Sequence, residues 1–314
     1  MRMMTVTISD LQEKWNSIPS YSDGYILVSG LSHPLSFHIG YYGGRKCFVV
    51  LDTGSDDRLV SSKAITVESF EQSPGCLSLR FILNYPSLED LFIKLCWDLI
   101  DASHSAPDPA ERILQQYNNW LRLLQQVNMR ALSISSQKGL CGELLFLEDR
   151  IDAVGERAAL DAWTGPDGSD QDYIFTGFWA EVKAVSASAD SVRISSLQQL
   201  DRTDKGYLVI YFLDTTTSHG MQTTSLNDLV DSIRQRLGTG RERDCLDCKL
   251  AKYGYFDHDR DKYKNRRYRI GERRFFSVTE EFPKLVRSTV PSGVVSAKYE
   301  LSIPAIGAFE SEGV

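Results

Sequence analysis

The chain has 314 residues, of which 42% are hydrophobic and 25% charged, and its formal net charge is −7. Such a composition is globular, its length fits one large domain or two, and its acidic balance argues against nonspecific coating of nucleic acid. No apolar run is long enough for a secretory signal or a membrane span, which needs about 18 apolar residues. Six cysteines spread over a long chain favour reduced thiols in a cytoplasmic protein with no membrane partner.

Residues 1–85 are predicted to form a β-rich N-terminal domain. Short segments rich in Val, Ile, Phe and Tyr alternate there with Gly, Ser and Pro, which is typical of strands and turns. The segments are GYILVSG, LSFHIGYYGGRKCFVVLDTG, AITVESF and CLSLRFIL. We expect this domain to recognise the substrate or a partner.

Residues 86–314 are predicted to form an α/β (α+β) domain in which helices flank a mixed sheet. Ser87 and Asp108-Pro109 are predicted to begin two helices, and GLCGELLFLEDRIDAV forms a third. A hairpin, a strand at GYLVIYFLD, and a helix at SLNDLVDSIRQRLG that ends at Gly238 come next. The last predicted strands are YRIGERRFFSV and SAKYELSI.

The segment DYIFTGFWAEVKAV, residues 172–185, is predicted to be a hairpin that turns at Thr176-Gly177. Strand side chains alternate between faces, so Glu181 and Lys183 lie on one face with Trp179. If both faces of the sheet are covered, an acid and an ammonium lie side by side in the interior. That arrangement is costly unless the two groups pair or bind something charged.

Two further acids are predicted to converge on this strand. Glu143 lies about 60° around its helix from Leu140, at the edge of the apolar face, so it leans toward the sheet on which the helix packs. Asp172 precedes the hairpin turn, which brings it across from Glu181. Three carboxylates and a lysine at one sheet edge suit metal-dependent hydrolysis of phosphodiesters.

Mg²⁺ is the cofactor this chemistry predicts, with Mn²⁺ able to replace it, because hard divalent cations prefer oxygen ligands. The predicted ligands are Asp172, Glu181 and the backbone carbonyl of Val182. Glu143 would act through water or at a second ion. Lys183 would orient the attacking water or stabilise charge on the phosphate.

At these residues the sequence resembles the PD-(D/E)XK nuclease superfamily, the restriction-endonuclease-like proteins. Five ordered segments extend the resemblance over nearly the whole chain, specifically to a bacterial family of unassigned PD-(D/E)XK-motif proteins found near restriction and phage-defence genes. The resemblance implies that Asp172, Glu181 and Lys183 are the catalytic triplet and that Glu143 is the helical acid. It also implies a site glutamine at Gln198 or Gln199. The five segments are GLCGELLFLE, WTGPDGSDQDYIF, AEVKAV, ISSLQQLD and FSVTEEFPKLVRSTVPSGVVSAKYELSI.

The choice of metal-binding aspartate departs from the literal motif. The Pro-Asp pair is Pro166-Asp167, in a Gly-rich loop that also holds Asp170, whereas Asp172 begins a strand. We prefer Asp172 because a strand holds a side chain more rigidly, and Asp167 stays an alternative.

A basic stretch at residues 234–274 has 14 Lys and Arg against 7 Asp and Glu, with four interleaved tyrosines. It is predicted to contact the phosphates of DNA. A solvated charged face is the alternative. The predicted contact residues are Lys252, Lys262, Lys264, Arg266, Arg267 and Arg269.

Two other motifs predict different functions. FVVLDTGSDD places Asp52 as in an aspartic protease, but that chemistry needs a second carboxylate and no second D-T-G or D-S-G occurs. Cys245 and Cys248 form one C-x-x-C without the second pair that a zinc site needs. A phosphate-binding loop of NTPases is absent from the sequence.

The sequence therefore predicts a Mg²⁺-dependent deoxyribonuclease, an endonuclease of restriction or antiviral defence. Its partners would be DNA and, for cleavage of both strands, a second copy or other defence subunits. The alternative is a catalytically inactive member of the same fold that binds DNA or scaffolds a defence complex. A peptidase that uses Asp52 is a third hypothesis.

Overall fold

A computed structural model describes residues 6–20, 23–51, 53, 59–74, 76–126, 131–218, 220, 222–238 and 240–313. Its helices are α1 (Ile8–Asn16), α2 (Glu89–Ser103), α3 (Pro109–Gln126), α4 (Ile134–Val154), α5 (Glu156–Ala162), α6 (Leu226–Arg236), α7 (Gly240–Tyr253) and α8 (Arg260–Tyr263). Its strands are β1 (Gly24–Leu27), β2 (Ser36–Tyr42), β3 (Arg45–Leu51), β4 (Ile65–Ser73), β5 (Cys76–Leu83), β6 (Tyr173–Phe175), β7 (Phe178–Val185), β8 (Ser191–Ile194), β9 (Gly206–Thr216), β10 (Thr223–Ser225), β11 (Arg267–Ser277), β12 (Tyr299–Ser302) and β13 (Glu310–Ser311).

The chain divides into two compact units, Met1–Arg130 with Thr239–Gly254 and Ala131–Gly238 with Tyr255–Val314. The boundary predicted at residue 85 falls inside the first unit. Helices α2 and α3 belong there because their aromatic side chains pack with those of the N-terminal elements. Phe92 of α2 lies 5.8 Å from Trp15 of α1, and Tyr117 of α3 lies 5.2 Å from Phe81 of β5, between ring centroids.

The first unit is built on an antiparallel sheet with strand order β1-β2-β3-β5-β4. The β-rich N-terminal pattern is thereby confirmed. Helix α3 begins as predicted, since Asp108 Oδ1 accepts the N–H of Glu111 at 3.0 Å. Helix α2 begins two residues later than the predicted start at Ser87, which lies within the 3-10 turn Pro86–Leu88; the N-cap residue is Leu88, which makes no side-chain cap hydrogen bond.

The second unit has the predicted mixed sheet, with strand order β10-β11-β9-β7-β6 and β13 beside β11. Strands β7 and β9 are parallel and the other neighbours are antiparallel. The hairpin is confirmed: Phe175 pairs with Phe178 across the two-residue turn, where Gly177 has a φ of +93°. Helix α6 starts from the capping box of Ser225 and Asp228 and ends at Arg236, two residues before Gly238.

Both faces of β7 are covered, which meets the condition under which Glu181 and Lys183 lie side by side in the interior. On one face α4 packs so closely that a Cβ on Gly142 would lie 3.1 Å from the Cβ of Ala184. On the other face lies the two-stranded sheet of β8 and β12. Its Val192 and Leu301 pack in one apolar cluster with Trp179 of β7 and Ile210 of β9.

Within the described residues, no helix has both the length and the apolar character needed to cross a bilayer.

Gly206 is the residue that gives the Trp179 ring its place at the start of β7. A Cβ at Gly206 would overlap that ring, whose Nε1 donates to the Asp204 carbonyl at 3.0 Å. We expect Gly206→Ala to lower the free energy of unfolding by about 2 kcal/mol, as for overpacking of a filled core. Urea titration measures this change. Gly293→Ala is the matched control, because a Cβ there meets no atom within 4 Å; equal losses in the two variants would contradict this account.

Candidate active site

The structure brings Asp172, Glu181 and Lys183 together. Glu181 and Lys183 lie on β7, and Asp172 is the residue before β6. Lys183 Nζ donates to Glu181 Oε1 at 2.6 Å; the Glu181 side chain is fully buried and that of Lys183 is 18% exposed. Asp172 precedes Tyr173, which pairs with Ala180, so Asp172 lies across from Glu181. Its Oδ2 accepts the backbone N–H of Val182 at 2.8 Å.

Glu143 approaches Asp172 from α4. The glutamate Oε2 accepts the indole N–H of Trp163 at 2.8 Å, and Tyr173 donates its hydroxyl to the Glu143 carbonyl at 2.8 Å. A Cβ on Gly165 would lie 3.2 Å from Asp172 Oδ1 and 3.3 Å from Glu143 Oε2. The two carboxylates therefore border the same small space, although α4 packs on the face of β7 opposite Glu181.

The loop with the literal Pro-Asp pair holds the backbone of Asp172. The N–H groups of Thr164 and Gly165 donate to the Asp172 carbonyl at 2.8 and 2.9 Å. Asp167 lies in the 3-10 turn Gly165–Asp167, where its own N–H donates to the Thr164 carbonyl. The Asp172 carboxylate is hydrogen-bonded to β7 through the Val182 N–H, which supports the choice of Asp172.

The two candidate glutamines lie in a loop that is tied to the residue before Asp172. Buried Gln171 donates from Nε2 to the Gln198 carbonyl at 2.8 Å. The Gln199 amide oxygen accepts the N–H of Ser195 at 2.7 Å, so this side chain stabilises its own loop. Gln198 has the exposed side chain and is the better candidate to meet a substrate.

Trp163 and Gln171 are site residues that the sequence analysis missed. The Trp163 indole N–H donates to the Glu143 carboxylate, and Gln171, the residue before Asp172, donates to the Gln198 carbonyl. A signal was present in the segment WTGPDGSDQD, because a buried indole N–H generally needs an acceptor. Which acceptor it finds depends on the packing of α4.

Burial controls the electrostatics of this site. Burial and the neighbouring Asp172 charge both raise the pKa of Glu181, the Lys183 ammonium opposes them, and the net pKa is about 8. Burial also raises the pKa of Asp172, against the pull of Lys183 and the Val182 N–H. For Lys183, burial alone lowers the pKa, but the attraction of Glu181 and Asp172 outweighs burial and the net shift is upward.

One oxygen of the site is unpaired. Glu181 Oε2 is buried and has no hydrogen-bond partner within the described part of the chain. Among the same residues, no three His, Cys, Asp or Glu side chains are grouped to hold a metal ion. A cation here would therefore take Asp172 and Glu181 together with a backbone carbonyl or water, and not three side-chain ligands.

The prediction that Lys252 contacts a DNA phosphate is wrong. It lies in α7 with its side chain 2% exposed, and its Nζ is 2.8 Å from Asp98 Oδ2. The Trp120 ring lies beneath the ammonium at 5.5 Å. A buried ion pair in the first unit leaves this lysine no surface to offer to DNA.

The other predicted contacts are mostly neutralised by neighbouring acids. Four of them form ion pairs, and Arg266 lies 3.4 Å from Gln137 Oε1. The pairs are Lys262–Asp259 at 2.6 Å, Lys264–Asp261 at 3.1 Å, Arg267–Asp228 at 3.0 Å and Arg269–Asp214 at 3.2 Å. Tyr255, Tyr263 and Tyr268 are buried core residues and offer no ring to a base. The solvated-face alternative therefore fits this stretch better.

The rival motifs gain no support. Asp52 and residues 54–58 of the protease-like segment lie outside the described residues. Cys248 is buried in α7 with its thiol 3.3 Å from the Lys94 carbonyl, and burial raises its thiol pKa well above the ordinary value. Neither Cys245 nor Cys248 forms a disulfide in the described part of the chain.

Residues 11–304 match the model of a family described as "Putative PD-(D/E)XK family member, (DUF4420)". The chain therefore belongs to this family, and the resemblance of the sequence to the PD-(D/E)XK superfamily is confirmed. The comparisons with curated proteins and with solved structures found no match.

The raised pKa of Glu181 predicts a pH-dependent loss of stability. The unfolded carboxyl ionises near its ordinary value of 4.5, whereas the folded one keeps its proton up to about 8. The unfolded state thus binds fewer protons across this interval, and this group lowers stability as pH rises through it.

We expect Glu181→Gln to gain stability relative to wild type between these two pH values, in the metal-free protein. Thermal unfolding in EDTA across the range measures the difference. Glu312→Gln, an exposed site, controls for the change of charge. If the difference in thermal stability between Glu181→Gln and wild type does not change with pH, the raised pKa of Glu181 is wrong.

Proposed function

We propose that this protein is a divalent-metal-dependent endonuclease that hydrolyses DNA phosphodiester bonds. The observation that carries the proposal is the unpaired, buried Glu181 Oε2 beside Asp172 and Lys183. A buried acceptor without a donor is costly, and a cation is the partner that two neighbouring carboxylates lack. Membership of a PD-(D/E)XK family supports the reaction class.

The donor set of the site fits a hard cation such as Mg²⁺, or Mn²⁺ in its place. Asp172 and Glu181 supply carboxylate oxygens. The Val182 carbonyl is a suitable third ligand, because N–H and C=O of one strand residue point to the same side and the Val182 N–H meets Asp172. Glu143, which Trp163 holds, would act through water. When bound, the ion lowers the pKa of the attacking water and stabilises charge on the phosphate.

Lys183 is the residue proposed to meet the substrate. Its ammonium stays charged in the site because the two acids raise its pKa against burial. One of its three N–H donors goes to Glu181 Oε1, which fixes the head group. The remaining donors can orient water for in-line attack or stabilise a phosphate oxygen as negative charge develops.

A role in restriction or antiphage defence follows from the resemblance of the sequence and is proposed with the activity. The N-terminal β-rich sheet would then recognise the substrate or a partner. Cleavage of both strands favours a two-fold dimer, which supplies one site for each strand. We propose that the protein acts on DNA in the cytoplasm.

Lys183→Ala is expected to lower the rate of DNA cleavage by about 100-fold or more, since it removes the donor closest to the reacting phosphate. Nicking and linearisation of supercoiled plasmid in Mg²⁺, Mn²⁺ or EDTA measure the rate. Lys262→Ala and Asp52→Ala are the controls. Cleavage that survives Lys183→Ala but is lost in Asp52→Ala would point to other chemistry, and DNA binding without cleavage under any divalent ion would favour the inactive, DNA-binding alternative.

Metal binding has a readout that does not depend on cleavage. We expect Mg²⁺ or Mn²⁺ to raise the Tm of wild type, because a ligand of the folded state alone stabilises it. Asp172→Asn should lose most of this rise, whereas Asp167→Asn should keep it. The reverse result would make Asp167 the metal ligand.

A further inference from the structure

Tyr299 lies on the same face of the sheet as Lys183. In the parallel pairing of β7 with β9, Lys183 is opposite Ile210, a member of the apolar cluster that β8 and β12 complete. Tyr299 is the first residue of β12, and its ring is partly buried against that cluster. Leu301 and Ile303, at alternate positions along the chain, are buried in the same cluster.

A loop holds the Tyr299 hydroxyl in place. The phenol oxygen accepts the backbone N–H of Leu285 at 3.2 Å. The loop itself is organised by Arg287, whose guanidinium donates to the carbonyls of Val294 and Ser292 and whose backbone N–H donates to Asp201 Oδ2 at 3.2 Å. The Tyr299 hydroxyl is therefore held by the loop that contains Leu285 and Arg287, and this loop is in turn bonded to Asp201.

The hydroxyl proton of Tyr299 makes only a long hydrogen bond in this arrangement. Its acceptor is the Leu285 carbonyl at 3.5 Å, much longer than the usual O–H···O distance of about 2.7–2.8 Å. Burial raises the pKa of Tyr299, and the Leu285 N–H and the Lys183 ammonium act in the opposite direction. Tyr299 thus lies within electrostatic reach of Lys183 and keeps its proton at neutral pH.

Lys183 and Tyr299 place two hydrogen-bond donors on one covered face of the sheet. Lys183 offers the N–H groups that Glu181 does not use, and Tyr299 offers an O–H with a distant acceptor. A negatively charged group with several oxygens is the acceptor that two such donors favour most. A phosphate has this chemistry, and hydrogen bonds to it are charge-assisted.

We propose that Tyr299 is a substrate-contacting residue whose hydroxyl, with Lys183, binds a phosphate of a DNA strand. This inference rests on the proposed function for the identity of the strand. It assigns to the site a residue from β12, far along the chain from the acid–lysine hairpin.

Tyr299→Phe tests the inference, because it keeps the ring in the apolar cluster and removes only the hydroxyl. Binding of a fluorescein-labelled DNA duplex, followed by fluorescence anisotropy in EDTA, gives a readout independent of cleavage. We expect the Kd to rise about tenfold or more, the size of a lost hydrogen bond to a charged group. Arg287→Ala is the matched control, because it loosens the same loop and leaves the hydroxyl; it should change the Kd by less than about twofold.

Three outcomes would overturn the inference: an unchanged Kd in Tyr299→Phe, an equal rise in both variants, or no binding of DNA to wild type. The equal rise would mean that Tyr299 serves only to hold the loop. Inorganic phosphate is the second probe. If phosphate raises the Tm of wild type but not of Tyr299→Phe, while DNA affinity is the same in both, the occupant is free phosphate and the strand assignment is wrong.

The results that would overturn the proposed function differ from those that would overturn the assignment of Tyr299. If plasmid cleavage is absent or insensitive to Lys183→Ala while DNA binding still depends on Tyr299, the hydrolytic proposal falls and the phosphate site stands. If cleavage requires Lys183 but DNA binding does not depend on Tyr299, the hydrolytic proposal stands and the phosphate site is wrong.

Discussion

The pairing of Lys183 with Glu181 inside a covered strand is the constraint on which the rest of this unit depends. Removing two charges from water is costly, and their mutual attraction offsets that cost only when the geometry is close and further polar partners are present. Here the contact is 2.6 Å long, yet Glu181 Oε2 has no partner in the described residues and burial raises the pKa of Glu181 to about 8. The pair is therefore poorly balanced by itself, which favours the proposed binding of a cation.

Neighbouring residues hold Asp172 and Glu143 in place but give Glu181 Oε2 no hydrogen-bond partner among the described residues. Asp172 is fixed by the Val182 N–H and by donors to its carbonyl, and Glu143 is fixed by the Trp163 indole. Each acid is thus oriented by a neighbouring element rather than by another acid. Groups held in this way need little reorganisation when a cation or a phosphate enters, which is the physical basis of electrostatic catalysis.

The basic stretch illustrates why charge counted along a chain does not give charge on a surface. Lys262 and Lys264 each pair with an acid three residues earlier, so the local excess is neutralised on the same turn. Lys252 pairs with Asp98, which belongs to a distant segment of the chain, and is buried by that contact. Only the fold decides which cations face solvent.

The sequence by itself determined the features that depend on near neighbours. The Thr176-Gly177 turn, the alternation that puts Glu181 and Lys183 on one face, and the Asp108 cap all follow from local backbone chemistry. The tertiary structure alone decided the features that depend on packing between remote segments. The approach of Glu143 to Asp172, the burial of Lys252 and the position of Tyr299 on the Lys183 face required α4, α7 and β12 to be placed. Side-chain periodicity fixes which face a residue occupies, but long-range apolar packing fixes what that face meets.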